Sequence, residues 1–66
     1  MAEQSQRILR LPAVVAQVGL SRATIYKRIK EGSFPKQIQL GLRSAGWLES
    51  EVNDWIAQRI NDSRRI

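Results

Sequence analysis

The sequence predicts a mainly α domain with a small β-hairpin, and three observations carry that reading. Two short stretches of helical apolar spacing flank Gly19-Leu20-Ser21, the kind of turn that joins paired helices. The spacing then switches to strict alternation over Gln37-Ile38-Gln39-Leu40, as in a half-buried strand. Helical spacing returns with Val52, Trp55, Ile56 and Ile60, which fall on one stripe. At 66 residues the chain has room for one small core and for no enclosed substrate cleft.

Each element has a local cause. Residues 1–7 are polar and read as a flexible leader, with Ile8, Leu9 and Leu11 able to dock onto the core. Pro12 suits the first turn of a helix, where its missing N–H costs nothing. Val14, Val15 and Val18 extend that helix over about 11–17. β-branched valines are mediocre helix formers, so burial must hold it. Gly19 stops it, Leu20 plugs the angle between two helices, and Ser21 caps the next one through its side-chain oxygen. The second helix spans Arg22 to Glu31, ended by Gly32 and confirmed by Pro35.

Beyond it, residues 37–40 and 45–48 form the hairpin, with Gly41-Leu42-Arg43-Ser44 as the turn. Gly46 weakens the second strand. A hairpin alone is marginal in water, so this one must pack on the helices. The last helix carries Glu49, Glu51 and Asp54 in its first turns, where acids suit the positive end of the dipole, and Ser50 is placed to help cap it. The polar segment 61–66 is expected to fray. One domain over 8–60 results.

Composition removes several function classes. Cysteine and histidine are both absent, which leaves no disulfide framework, no thiolate or imidazole metal site and no ordinary general base near neutral pH. With its carboxylates scattered, the chain offers no catalytic constellation, and neither a cofactor nor a small-molecule ligand is expected. No apolar run approaches the roughly 20 residues of a membrane span, and the first six residues lack the apolar heart of a signal peptide. A cytoplasmic protein is expected.

Charge points to a partner. There are 11 Lys and Arg against 6 Asp and Glu, a net of +5. Between Arg22 and Arg43 lie six bases (Arg22, Lys27, Arg28, Lys30, Lys36, Arg43) and the single acid Glu31. From Glu49 to Asp62 there are four acids and one base. A chain with one basic half offers one face to a polyanion.

The helix, turn and capped second helix make a helix-turn-helix, whose second helix matches the width of the DNA major groove. At about 100° per residue, Arg22, Ala23, Tyr26 and Lys27 share one side of that helix, while Ile25 and Ile29 face the first helix. Arginine forks onto guanine O6 and N7, and Ala23 allows close approach or touches a thymine methyl. Thr24 and Tyr26 reach a phosphate or a base; Lys27, Arg28 and Lys30 suit phosphates, which give affinity without sequence choice. Arg43, at the hairpin tip, reaches a neighbouring minor groove or its backbone, as a wing does. The candidate DNA-binding set is Ser21, Arg22, Ala23, Thr24, Tyr26, Lys27, Lys30 and Arg43. Trp47 and Trp55 lie on apolar stripes and are read as core.

Leu11 to Tyr26, then Glu31-Gly32-Ser33-Phe34-Pro35, Leu40-Gly41-Leu42-Arg43, Trp47 and Glu51-Val52-Asn53-Asp54-Trp55-Ile56 together resemble AlpA-type prophage regulatory proteins. The similarity covers about Ile8 to Arg59. It implies a winged helix-turn-helix of the MerR-like and excisionase-like kind, in a phage or prophage transcriptional regulator. Carried over by position, the recognition helix is Ser21 to Lys30 and the wing tip Leu42 to Ser44. Two positions depart from the family pattern: Arg28 stands where an apolar residue is common, and Leu42 where a second glycine is common.

Double-stranded DNA is therefore the expected partner, with a second copy of the chain, a recombinase or RNA polymerase as further ones. Two rival readings share the fold. One is an excisionase-like architectural factor that bends DNA; the other is a protein-interaction adaptor that keeps the fold without the DNA face.

Overall fold

A computed structural model describes residues 7–64. Its elements are β1 (Ile8–Leu9), α1 (Leu11–Val18), α2 (Arg22–Glu31), β2 (Ile38–Gly41), β3 (Ser44–Leu48) and α3 (Glu49–Ser63). The fold is the winged helix-turn-helix expected, with three helices beside a small antiparallel sheet. Apart from Arg7, the leader expected over 1–7 lies outside the described residues, as do 65 and 66.

The core takes one apolar side chain from almost every part of the chain. Leu9, Val14, Ile25, Phe34, Trp47 and Val52 are buried, coming from β1, α1, α2, the α2–β2 loop, β3 and α3 in turn. Burying each contributes about 1.5–3 kcal/mol. Leu11, Val15, Val18, Leu20, Ile29, Trp55 and Ile56 pack around them. Leu20, between α1 and α2 in the chain, is half-buried against this core. Trp47 is buried in the core and Trp55 half-buried at its edge, each with its indole N–H satisfied: Trp47 Nε1 donates to the Pro35 carbonyl at 3.1 Å and Trp55 Nε1 to the Ser33 carbonyl at 2.6 Å.

The helix ends follow the local rules. Pro12 lies in the first turn of α1. Gly19 closes α1 in the left-handed region at φ 74°, its N–H donating to the Val15 carbonyl, and Gly32 closes α2 in the same way at φ 82°. An L side chain is strained there, which is why glycine stands at both corners.

Three features differ from the sequence expectation. First, the hairpin has a third strand: β1 pairs antiparallel with β3, Ile8 opposite Leu48 and Leu9 opposite Trp47, so β3 is the central strand of the order β1-β3-β2. Two residues are too short to show a period, so alternation could not reveal them. Gly46 is the reason β1 fits. A Cβ there would lie 2.5 Å from Ile8 Cγ2 and 3.0 Å from the Leu9 carbonyl oxygen. The glycine expected to weaken the strand is what admits its neighbour. The turn is also tighter than 41–44: Gly41 and Ser44 are paired strand residues, leaving Leu42 and Arg43 at the tip.

Second, α3 has no side-chain cap. Its N-cap is Leu48, not Ser50, and the Glu49 N–H donates to the Arg7 carbonyl at 2.8 Å. The backbone ahead of β1 satisfies a donor that a serine would otherwise take. Third, α3 continues through Ser63, three residues into the segment expected to fray. Ile60 is 46% exposed, because the small core is filled by Val52, Trp55 and Ile56. Among the described residues no helix is long and apolar enough to cross a membrane.

Candidate nucleic-acid interface

The local sequence of α2 determines what it can present. Ser21 Oγ accepts from the Thr24 N–H at 3.2 Å and also lies 3.0 Å from Thr24 Oγ1, to which it donates. The cap satisfies one of the free amides of the first turn. It also engages the Ser21 hydroxyl as both donor and acceptor, while Thr24, whose own O–H is not used by the cap, is half-buried. Their place in the structure is at the hinge of the helix, which they orient. Ile25 is fully buried and Ile29 packs beside it.

With that side fixed inward, Arg22, Ala23, Tyr26, Lys27 and Lys30 are exposed, as helical geometry predicts. Tyr26 is divided: its residue is 37% exposed, while its ring meets the Trp47 ring edge-on at 6.4 Å between centroids. Arg28 differs from its neighbours. It is half-buried, and its Nε is enclosed without a hydrogen-bond partner among the described residues. Its stem lies against the domain where the family pattern has an apolar residue, so it is not part of the open cationic face on which it was expected to meet phosphates.

The α2 helix and the wing meet at a cleft of about 280 Å³, lined by Arg10, Leu11, Pro12, Arg22, Tyr26, Arg43, Ala45 and Trp47. Of the sequence-derived candidates, this cleft brings together Arg22, Tyr26 and Arg43. Ala23, Lys27 and Lys30 do not line it and lie along the exposed side of α2. Arg10 was not among the candidates. It is the N-cap residue of α1, and its Nε donates to the Ala45 carbonyl at 3.0 Å. The one available hint was a base set between the apolar pair Ile8-Leu9 and Pro12.

Electrostatics favours an anion here. Arg10, Arg22 and Arg43 line one opening, and among the described residues none has a carboxylate partner. The ion pairs of the described residues, Arg7 with Glu49 at 4.0 Å and Arg59 with Asp62 at 2.7 Å, both involve α3. Larger hollows run along α3 past Glu51 and Asp54, whose charge repels a polyanion. Among the described residues no group of three or more potential ligands could hold a metal ion. The wing tip adds an apolar feature: Leu42 is 94% exposed beside Arg43.

Comparison with known proteins agrees with this architecture. The family described as prophage CP4-57 regulatory protein (AlpA) matches residues 7–60. An uncharacterized protein of Enterobacteria phage P4 is 48% identical over 60 residues, spanning 91% of this chain and 68% of that protein. The DNA-binding transcriptional activator AlpA of Escherichia coli (strain K12) is 46% identical over 59 residues, spanning 80% of this chain and 84% of that protein.

Proposed function

The chain belongs to the AlpA family of prophage regulatory proteins, and on that basis we propose that it is a sequence-specific, DNA-binding transcriptional regulator of phage or prophage origin, acting in the cytoplasm. In this reading α2 enters the major groove, and the turn between β2 and β3 touches the neighbouring backbone or minor groove. Arg22, in the first turn of α2, supplies the fork for a guanine edge, worth about 1–3 kcal/mol of discrimination. Lys27 and Lys30 neutralise phosphates.

One observation supports this most: Arg22 of α2 and Arg43 of the wing line one cleft, and neither they nor the exposed Lys27 and Lys30 of α2 has a carboxylate partner among the described residues. An adaptor that had lost DNA binding would have no need of that arrangement. A single module of this size binds DNA weakly, so occupancy is raised by a second copy, by cooperative neighbours on the DNA, or by a recombinase or polymerase partner.

The test is a mobility-shift series on duplexes recovered by genomic footprinting. Replacing Arg22 and Lys27 together by alanine should abolish specific retardation while the thermal melt is unchanged. Unaltered affinity would overturn the DNA face and favour the adaptor.

A second reading is favoured by Leu42. An apolar side chain held almost fully in solvent at a wing tip is the kind of wedge that enters a minor groove and opens a base step. In that case the protein acts as an architectural, excisionase-like factor. Footprints beside an integrase attachment site, with a bend that disappears in Leu42→Ala, would establish it; footprints over a promoter with unbent DNA would exclude it.

A further inference from the structure

We propose that the cleft between α1, α2 and the wing is a seat for one phosphodiester of the DNA backbone, and that Arg10 is its anchored arm. The proposal rests on the DNA-binding reading above and adds a residue and a ligand group to it.

The geometry begins with Arg10. Arginine carries five N–H donors in a planar fork. In Arg10 the Nε–H is already committed to the Ala45 carbonyl of β3 at 3.0 Å. This bond holds the guanidinium against the stem of the wing and leaves the donors of both terminal nitrogens for a ligand. A guanidinium fixed in this way loses less freedom on binding than a free one. It suits paired acceptor oxygens, which a phosphate has and a lone carbonyl lacks.

The surroundings repeat the preference. Arg22 from α2 and Arg43 from the wing line the same opening, so three like charges converge where no described acid separates them. Tyr26, Pro12, Leu11 and Trp47 supply apolar walls. The three arginines are exposed and of like charge, so an anion among them relieves their mutual repulsion. At about 280 Å³ the space admits a phosphate group with several waters of about 30 Å³ each.

The three arginines come from separate parts of the fold: the start of α1, the first turn of α2, and the hairpin tip. One phosphate held by Arg10 and Arg43, with Arg22 beside it turned to a base edge, would fix the recognition helix and the wing in a single register on the duplex. Phosphate contacts position a protein and carry no sequence information themselves. Arg10 is therefore a positioning contact, and its loss should weaken all duplexes alike, whereas loss of Arg22 should also alter sequence preference.

The experiment is ethylation interference on a footprinted duplex, in which single phosphates are neutralised, comparing the wild type with Arg10→Ala and Arg10→Lys. The expected result is about a tenfold loss of affinity for Arg10→Ala, the size of one charge-assisted contact, and a fall in the salt slope of about 0.9, the value of one phosphate. One ethylated phosphate should hinder the wild type strongly and Arg10→Ala distinctly less, because Arg43 still borders the cleft. Arg10→Lys, which keeps the charge and loses the fork, should recover affinity only in part. Circular dichroism melts of both variants show whether the fold is kept. If Arg10→Ala binds like the wild type with the same interference pattern while Arg22→Ala is impaired, the seat is wrong and the DNA reading stands. If the wild type retards no duplex, both fall. Inorganic phosphate, titrated at constant ionic strength without DNA, tests the other source. Saturable perturbation of tryptophan fluorescence that Arg10→Ala removes, with an unchanged interference pattern, would overturn the assignment to the duplex in favour of a free anion.

Discussion

Tyr26 and Trp47 meet edge to face, their centroids 6.4 Å apart and their planes inclined by 61°. One ring belongs to the helix that would enter the groove, and the other to the central strand behind the wing. Trp47 is itself pinned by its donation to the Pro35 carbonyl. The angle between reading helix and wing therefore depends on an aromatic contact that reaches from the surface into the core.

Tyr26→Ala should cost about 1–2 kcal/mol, the pair plus part of the ring's burial. Tyr26→Phe should melt like the wild type. Any loss of DNA affinity in Tyr26→Phe then measures the hydroxyl alone. Urea denaturation and mobility shifts on the two variants separate packing from contact. Trp47→Ala should remove about 3–5 kcal/mol, as much as a core of this size supplies, and leave the chain unfolded by circular dichroism.

Ser21→Ala should lower stability by about 1 kcal/mol through loss of the α2 cap. That corresponds to a fall in Tm of about 4–8 °C for a domain of this length. Because its hydroxyl is spent on Thr24, affinity for DNA below the melt should change little. A large affinity loss with an unchanged melt would mean that Ser21 touches DNA directly.

Gly46→Ala should destabilise by about 1–3 kcal/mol. The added methyl meets the Leu9 carbonyl, a backbone atom that side-chain rotation cannot move aside. Exposed Gly→Ala changes usually help by reducing unfolded-chain entropy, so the sign of the effect in a urea titration is the check.

Lys27→Ala and Lys30→Ala should each weaken binding to every duplex similarly and reduce the slope of log affinity against log salt by about 0.9. Leu42→Ala should leave the melt within about 0.5 kcal/mol, as for other open surface positions. Its effect on DNA curvature, read by gel mobility of permuted fragments, decides between the two regulatory readings.

The helix-turn-helix was legible because its signals are local. Gly19, Ser21 and Gly32 act within one turn of the chain, and the inward side of α2 follows from Ile25 and Ile29 alone. β1 was not legible, since its two residues are defined only by their partners Leu48 and Trp47. Gly46 held the clue, as a strand glycine marks a close neighbour. The full stripe of α3 suggested burial as far as Ile60, but periodicity measures only which residues share a face, and a core this small ends before the helix does. For the site, exposure along α2 could be read from spacing. The convergence of Arg10 with Arg22 and Arg43 could not, because it depends on α1 and the wing meeting in space.

The pairing of β1 with β3 sets Ile8 opposite Leu48 and Leu9 opposite Trp47, with the whole helix-turn-helix enclosed between them. Closing so long a loop is among the costlier steps of folding and tends to come late. Leu9 cannot find Trp47 until most of the chain has been synthesised, so a ribosome-bound or prematurely terminated product carries the bases of α2 without the scaffold that aims them. DNA-binding activity should thus appear abruptly, once β3 has been synthesised, and translation products that stop before it should not compete for the same sites.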